Sequence, residues 1–170
     1  MLMSTEKDML NTGDFMKEKL PGSLNVLTIL TFIGCALGFI GAFYSYATAD
    51  KTYKNMKELV SSGKMDEAPG WAKGMISSDT LPMYEKLADN KMPIMILGLA
   101  GIALCFFGAM QMRKLKKQGY LLYVAGEILP IIGTLIFVGA MAFKGFGLLM
   151  TLVPIVFIIL YTVNRKYLVN

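Results

Sequence analysis

Histidine is absent from this 170-residue chain, cysteine occurs only twice, and 17% of the residues are charged. Without histidine, the usual general base near neutral pH and the commonest metal ligand are both missing. Cys35 and Cys105 each fall inside a long apolar run. No disulfide framework therefore braces a loop, which excludes the four-span architecture stapled by outer-loop cysteines. Buried thiols in such runs read as small apolar fillers. The sequence also lacks a phosphate-binding glycine loop with its lysine and Ser/Thr, an HExxH zinc signature, paired metal carboxylates and a glycosylation sequon. No nucleophile–base pair is legible. These absences leave no catalytic residue, metal ligand or cofactor to assign, and they predict a chain that is not an enzyme.

What the chain has is apolar length. Hydrophobic residues make up 55% of it and the mean hydropathy is +0.52, with the apolar residues gathered into long runs. A span across a hydrocarbon core of roughly 30 Å needs about 20 residues at 1.5 Å each. Four windows qualify, at residues 24–46, 92–112, 120–143 and 146–163. The last two are separated only by Lys144 and Gly145, which predicts a tight hairpin. The expected fold is an all-α membrane protein, a four-helix transmembrane bundle. It is preceded by a polar segment at 1–23 and followed by a tail at 164–170.

Orientation follows from the distribution of lysine and arginine in short loops. Between the second and third windows stand Arg113, Lys114, Lys116 and Lys117, a cytoplasmic mark. An even number of spans then places both termini in the cytoplasm, in agreement with Lys17, Lys19, Arg165 and Lys166. The outer loop at 47–91 balances seven lysines with seven carboxylates, and long loops cross largely regardless of charge. Ala47-Thr48-Ala49 has the small-residue spacing of a signal-peptidase site. The apolar run before it is too long for a typical signal core of about 7–15 residues, so an uncleaved span is the preferred reading. The net charge of +5 fits attraction to anionic lipid on the cytoplasmic face and not nucleic acid.

Two helical stretches are expected in the outer loop. Tyr53, Met56 and Val60 share one side of residues 49–60, so the first span is expected to continue beyond the membrane. Residues 80–90 follow Asp79 as a cap and tolerate Pro82 in a first turn. Gly63, Pro69-Gly70 and Gly74 punctuate the stretch between, where Trp71 suits a membrane interface. Ahead of the first span, residues 14–20 suit a short interfacial helix broken by Pro21-Gly22, with Ser23 as the cap of the span.

Small residues form the clearest pattern. Gly34, Gly38, Gly41 and Ser45 recur on the first span, Gly98, Gly101, Cys105 and Gly108 on the second, and Gly126, Pro130 and Gly133 on the third. Lipid gives helices no hydrophobic reason to associate, so small faces that allow close backbone approach mark contact surfaces. Whether these contacts are internal or made with another subunit is open at this level. The fourth span is bulky throughout, from Leu148 to Leu160, and is expected to be peripheral. Pro130 and Pro154 are interior and should kink their spans.

Glu127 is the one ionisable residue inside a predicted span. A carboxylate there costs roughly 2.5–3.5 kcal/mol near mid-membrane and less toward the interface. Three states answer that cost: a protonated acid, contact with water or the nearby basic loop, or a cation on a partner chain. Tyr123 stands one turn before it. Asn25, Thr28 and Thr31 of the first span, Gln111 of the second, and Tyr161 and Thr162 of the fourth favour the same end. Together they suggest a polar pocket open to the cytoplasm, with Glu127, Tyr123, Thr28 and Thr31 as its candidate residues.

The stretches PGSLNVLTILTFIG at 21–34 and KKQGYLLYV at 116–124 resemble a group of small four-span membrane proteins of Bacteroidetes. The resemblance covers the spans and not the long loop. It implies a bacterial inner-membrane location and no activity. The expected function is a non-enzymatic accessory or scaffold subunit that packs against other membrane chains or itself, with the lipid bilayer as its medium. The alternative is a small oligomeric transporter or channel in which Glu127 binds a proton or cation.

Overall fold

A computed structural model describes residues 20–63, 78–144 and 146–169. Among these residues the chain is helical almost throughout and has no strand. Its helices are α1 (Gly22–Ser61), α2 (Leu81–Asp89), α3 (Lys91–Arg113), α4 (Lys117–Phe137) and α5 (Phe146–Asn164). All but α2 are long and apolar enough to cross a membrane. The chain is a multi-pass membrane protein built as an all-α bundle, which is the form expected where every backbone polar group must be satisfied within its own segment. Trp71, Pro69-Gly70, Gly74 and residues 14–19 of the expected interfacial helix lie outside the described residues. Leu20, the last of that helix, packs against the core.

α1 spans 40 residues, roughly 60 Å at 1.5 Å per residue and so about twice a hydrocarbon core. Neither glycine nor proline interrupts residues 42–61, so the helix runs on through Ala47-Thr48-Ala49 until Gly63 takes a φ of 67°. The expected extension beyond the membrane is thus continuous with the first span. α2 lies along it: the Tyr53 hydroxyl donates to Glu85 at 3.2 Å, and the Lys91 ammonium at the start of α3 pairs with Asp50. Asp79 does not cap α2. It sits in the 3₁₀ turn Ser78–Thr80, and the helix begins after Thr80. We call this the cap end of the bundle, and the opposite end, with Arg113 to Lys117, the basic end.

α3 and α4 form the closest pair, and glycine is the reason. A Cβ on Gly108 would lie 2.7 Å from the Gly119 carbonyl oxygen, and one on Gly119 would lie 2.5 Å from that of Gly108. A Cβ on Gly126 would meet the Cys105 sulfur at 2.6 Å, and one on Gly101 would meet Pro130 Cγ at 2.6 Å and the Gly126 carbonyl at 2.7 Å. Only hydrogen fits at these four positions, which stand seven residues apart on each of two facing antiparallel helices. Pro130 has no N–H for the Gly126 carbonyl one turn back. That carbonyl instead faces Gly101, whose missing Cβ leaves room for it.

The remaining packing is graded. α1 lies against α3 through Leu24, Leu27, Thr28, Thr31, Cys35 and Gly38, a stripe at helical spacing. α5 touches α1 and α4 mainly near its C-terminal end, where Tyr161 and Asn164 are buried, while Leu148, Leu149, Val153 and Val156 face outward. Ser23 is not a cap. Pro21 holds that position, and the Ser23 hydroxyl donates instead to Asn164 Oδ1 at 2.6 Å, tying the first and last spans at one level. The tail returns over the basic end: Leu168 is buried, and the Val169 N–H donates to the Leu115 carbonyl at 2.9 Å. α4 ends at Phe137 and not near Phe143, because Gly139 leaves helical space with φ 95° and a 3₁₀ turn Ala140–Phe143 follows.

The glycine seam sets the first test. Gly126→Leu drives a side chain into Cys105 and the Gly101 backbone, an overpacking cost of at least about 3 kcal/mol. It is expected to abolish a monodisperse peak in detergent gel filtration. Gly41→Leu, where an added Cβ meets nothing within 4 Å, is expected to leave that peak and the thermal transition within a few degrees of the parent protein.

Candidate functional site at Glu127

Glu127 projects from the middle of α4 and is half-buried. Tyr123 and Cys105 line the same cavity as its carboxylate. Among the described residues no lysine or arginine nitrogen comes within 4 Å of it, the ion pair formed being Lys91 with Asp50 at the cap end. The basic loop does not serve it either. Arg113 is turned to α1, where its guanidinium donates to Thr28 Oγ1 at 3.3 Å. Glu127 faces a cavity of about 220 Å³ walled by all four spanning helices. Leu30, Thr31, Gly34 and Cys35 come from α1, Gly101, Ile102 and Cys105 from α3, and Val153, Pro154 and Phe157 from α5.

The floor of this cavity is a buried layer of hydroxyls. Tyr123 and Tyr161 are each 1% exposed, their rings 4.5 Å apart between centroids. Tyr161 shares a 2.8 Å hydrogen bond with Thr31. One turn further toward the basic end, Thr28 is fully buried; it donates to the Asn25 carbonyl at 2.9 Å while accepting from Arg113. Leu24 and Met112 close that level completely. Thr31 and Tyr123 therefore join Glu127, whereas Thr28 lies below the seal and does not line its cavity. Asn25 Oδ1 and Gln111 Oε1 are buried here without a protein partner, so this end of the α1–α3 interface is polar to its centre.

The pocket does not open toward the basic end as the sequence suggested, because the tyrosine layer blocks that direction. Its exposed rim lies elsewhere. Leu30 on α1 is 46% exposed, Val153 on α5 is 50% exposed, and Gly34 between them is exposed as well. The opening is lateral, between α1 and the exposed face of α5 at Val153.

The predicted glycine faces divide by what a side chain would meet. Gly101 and Gly108 face backbone, a Cβ on Gly133 would meet the Leu97 side chain, and one on Gly38 would lie 3.3 Å from Ile102 Cδ1. A Cβ on Gly34, Gly41 or Gly98 would meet nothing within 4 Å, so those three make no close helix approach inside the chain. Gly34 lines the Glu127 cavity instead. Gly98 lines a second cavity of about 430 Å³ toward the cap, which meets the first at Ile102 and Pro130. This second cavity was not anticipated, although Gly38, Ala42, Ser45 and Ala49 signal it by keeping one stripe of α1 small well past the Glu127 level. Among the described residues no group of three or more metal-ligating side chains gathers. Comparison with protein-family models, with curated proteins and with solved structures gives no match.

The hydroxyl layer yields a graded expectation. Tyr161→Phe strands the buried Thr31 hydroxyl and is expected to cost about 1–2 kcal/mol, read as a lowered melting temperature in detergent. Tyr120 bonds Thr162 at 2.8 Å at an exposed position, and Tyr120→Phe is expected to stay within about 0.5 kcal/mol.

Proposed function

We propose that the chain is a non-enzymatic accessory subunit that packs against another membrane chain through the lateral opening between α1 and α5. The partner presents a cation or a strong hydrogen-bond donor to Glu127. The observation that carries this reading is the combination of a carboxylate without a cation and a rim that opens sideways at a glycine. A side chain entering from a neighbouring helix reaches Glu127 past Gly34, where no Cβ obstructs it. Small residues at such a rim let a partner backbone come close. An intramembrane carboxylate left alone is expensive, so it is retained where it has a counterpart or a role. On this reading the basic end, with Arg113, Lys114, Lys116 and Lys117, faces the cytoplasm of a bacterial inner membrane together with both termini.

A second reading is favoured by one specific feature. The Glu127 cavity and the cap-side cavity meet at Ile102 and Pro130, so a small shift of the Ile102 side chain would join them. A small oligomeric carrier or channel using Glu127 for a proton or cation fits that arrangement.

Gentle purification from the native membrane, with the mass of the complex determined, tests the first reading. A stoichiometric second membrane chain bearing an intramembrane lysine or arginine is expected. Glu127→Gln should lower its recovery at least tenfold while leaving the folded yield of this chain unchanged. A chain recovered free of other subunits, with ion flux in liposomes that Glu127→Gln abolishes, would overturn it in favour of the carrier.

A further inference from the structure

The cap-side cavity is separate from Glu127 in its chemistry. Its deep walls are largely apolar, formed by Ile94, Met95, Leu97 and Ile102 of α3 with Ala42 and Gly38 of α1 opposite, and Thr134 of α4 is the one hydroxyl among them. It extends along α3 from Lys91 to Ile102, roughly 16 Å at 1.5 Å per residue and so about half a hydrocarbon core. Its mouth is polar. Ser45, Thr52 and Tyr84 line it with hydroxyls that bond no other group among the described residues. Lys91 stands there against the Tyr46 ring at 5.6 Å and is paired with Asp50. The mouth thus offers donors, acceptors and the Lys91 ammonium, and Asp50, outside the lining itself, balances that charge through its pairing with Lys91. The volume of about 430 Å³ lies within the range of about 300–1,000 Å³ typical of small-molecule sites.

We infer that this cavity holds one acyl chain of a zwitterionic phospholipid from the cap-side leaflet, with its headgroup at Lys91, Asp50 and the three free hydroxyls. An elongated, largely apolar slot half a bilayer deep matches a single chain in length. The head follows from charge. An anionic head gains Lys91 only by displacing Asp50, whereas an ammonium–phosphate head meets both members of the pair, phosphate to Lys91 and ammonium to Asp50. Binding is intrinsic to this chain and does not depend on what Glu127 faces. The glycine at position 98 makes the slot: an added Cβ there meets nothing within 4 Å and points a longer side chain at space that Gly98 leaves empty.

The test uses the full chain in liposomes containing phosphatidylethanolamine or phosphatidylglycerol with a photoreactive group at the end of one acyl chain. Labelled residues are located by mass spectrometry. The expected result is labelling concentrated on Ile102, Leu97 and Met95 with phosphatidylethanolamine, at least fivefold above phosphatidylglycerol. Gly98→Leu should cut it at least tenfold with the thermal transition unmoved, and Gly98→Ala should retain it. Ala42→Leu, which fills the slot from the opposite wall, should reproduce the loss, and it carries the test should Gly98→Leu fail to fold. Labelling spread over outward-facing residues such as Ile40, Leu135 and Leu148, or unchanged in both filled variants, would overturn the site. Equal labelling by the two lipids would overturn the headgroup assignment.

Discussion

The rest of the bundle depends on the closeness of α3 and α4. In hydrocarbon there is no hydrophobic force to bring two apolar helices together, so their association rests on packing and on how near the backbones can come. Gly101, Gly108, Gly119 and Gly126 let the two helices meet backbone to backbone. Cys105 fits between as the largest group the spacing admits, its sulfur against the Gly126 Cα and its thiol toward the Tyr123 carbonyl at 3.7 Å. Once that hairpin is closed, α3 offers a fixed wall for α1. The Tyr123 ring is held where it packs at an angle against Tyr161, and α5 is thereby anchored at its C-terminal end. The tail completes this end by laying Leu168 over the α3–α4 loop. Leu115 there adopts a left-handed φ of 58°, a conformation costing a non-glycine residue of order 1 kcal/mol, and Val169 takes up its carbonyl.

Glycine does two unlike jobs in this protein, and the difference organises its interior. On the α3–α4 seam it removes an obstacle between two backbones. On the α1 side it removes volume that nothing else fills, which leaves the two cavities. Both effects come from a missing side chain, but their substitution costs are opposite in sign. A residue added at the seam overpacks, whereas one added at Gly34 or Gly98 gains helix propensity without a clash. Cavities kept open against an easy filling substitution are the places where the fold departs from maximal packing, and such departures point to sites.

The architecture was legible in the sequence because hydrocarbon thickness converts directly into run length, and four runs exist. The continuation of α1 past the membrane was also legible, since no breaker follows Ala42 and Tyr53, Met56 and Val60 repeat at helical spacing. The end of α4 was not. Hydropathy continues smoothly through Phe143, and only the backbone at Gly139 shows that the helix stops at Phe137. The glycine pattern named the right residue type but could not separate contact from cavity. A three- or four-residue spacing fixes a face of one helix and says nothing of what stands opposite. That is why Gly34 and Gly41 grouped with Gly38 in sequence yet are exposed in the fold. The grouping of Thr31 and Tyr123 with Glu127 rested on depth along the helices and corresponds to one cavity. Thr28 shared the depth argument within a turn, and a single turn was enough to put it below the tyrosine layer.

The position of Glu127 explains why the abundant positive charge of this chain does not neutralise it. Arg113 is eight residues beyond Cys105 on α3, and Cys105 marks the level of Glu127, so the two charges are separated by roughly 12 Å along the axis. Between them lie Met112, Tyr123, Thr28 and Leu24, all buried. The guanidinium already has the Thr28 hydroxyl as an acceptor within the seal, so movement toward Glu127 would break that bond and desolvate a second charge. The tyrosine layer therefore does more than fill space: it keeps the carboxylate out of reach of its own basic loop. A fold that needed only to tolerate an acid in this span would let Arg113 through. This one blocks that approach and leaves the lateral side, between α1 and α5, open.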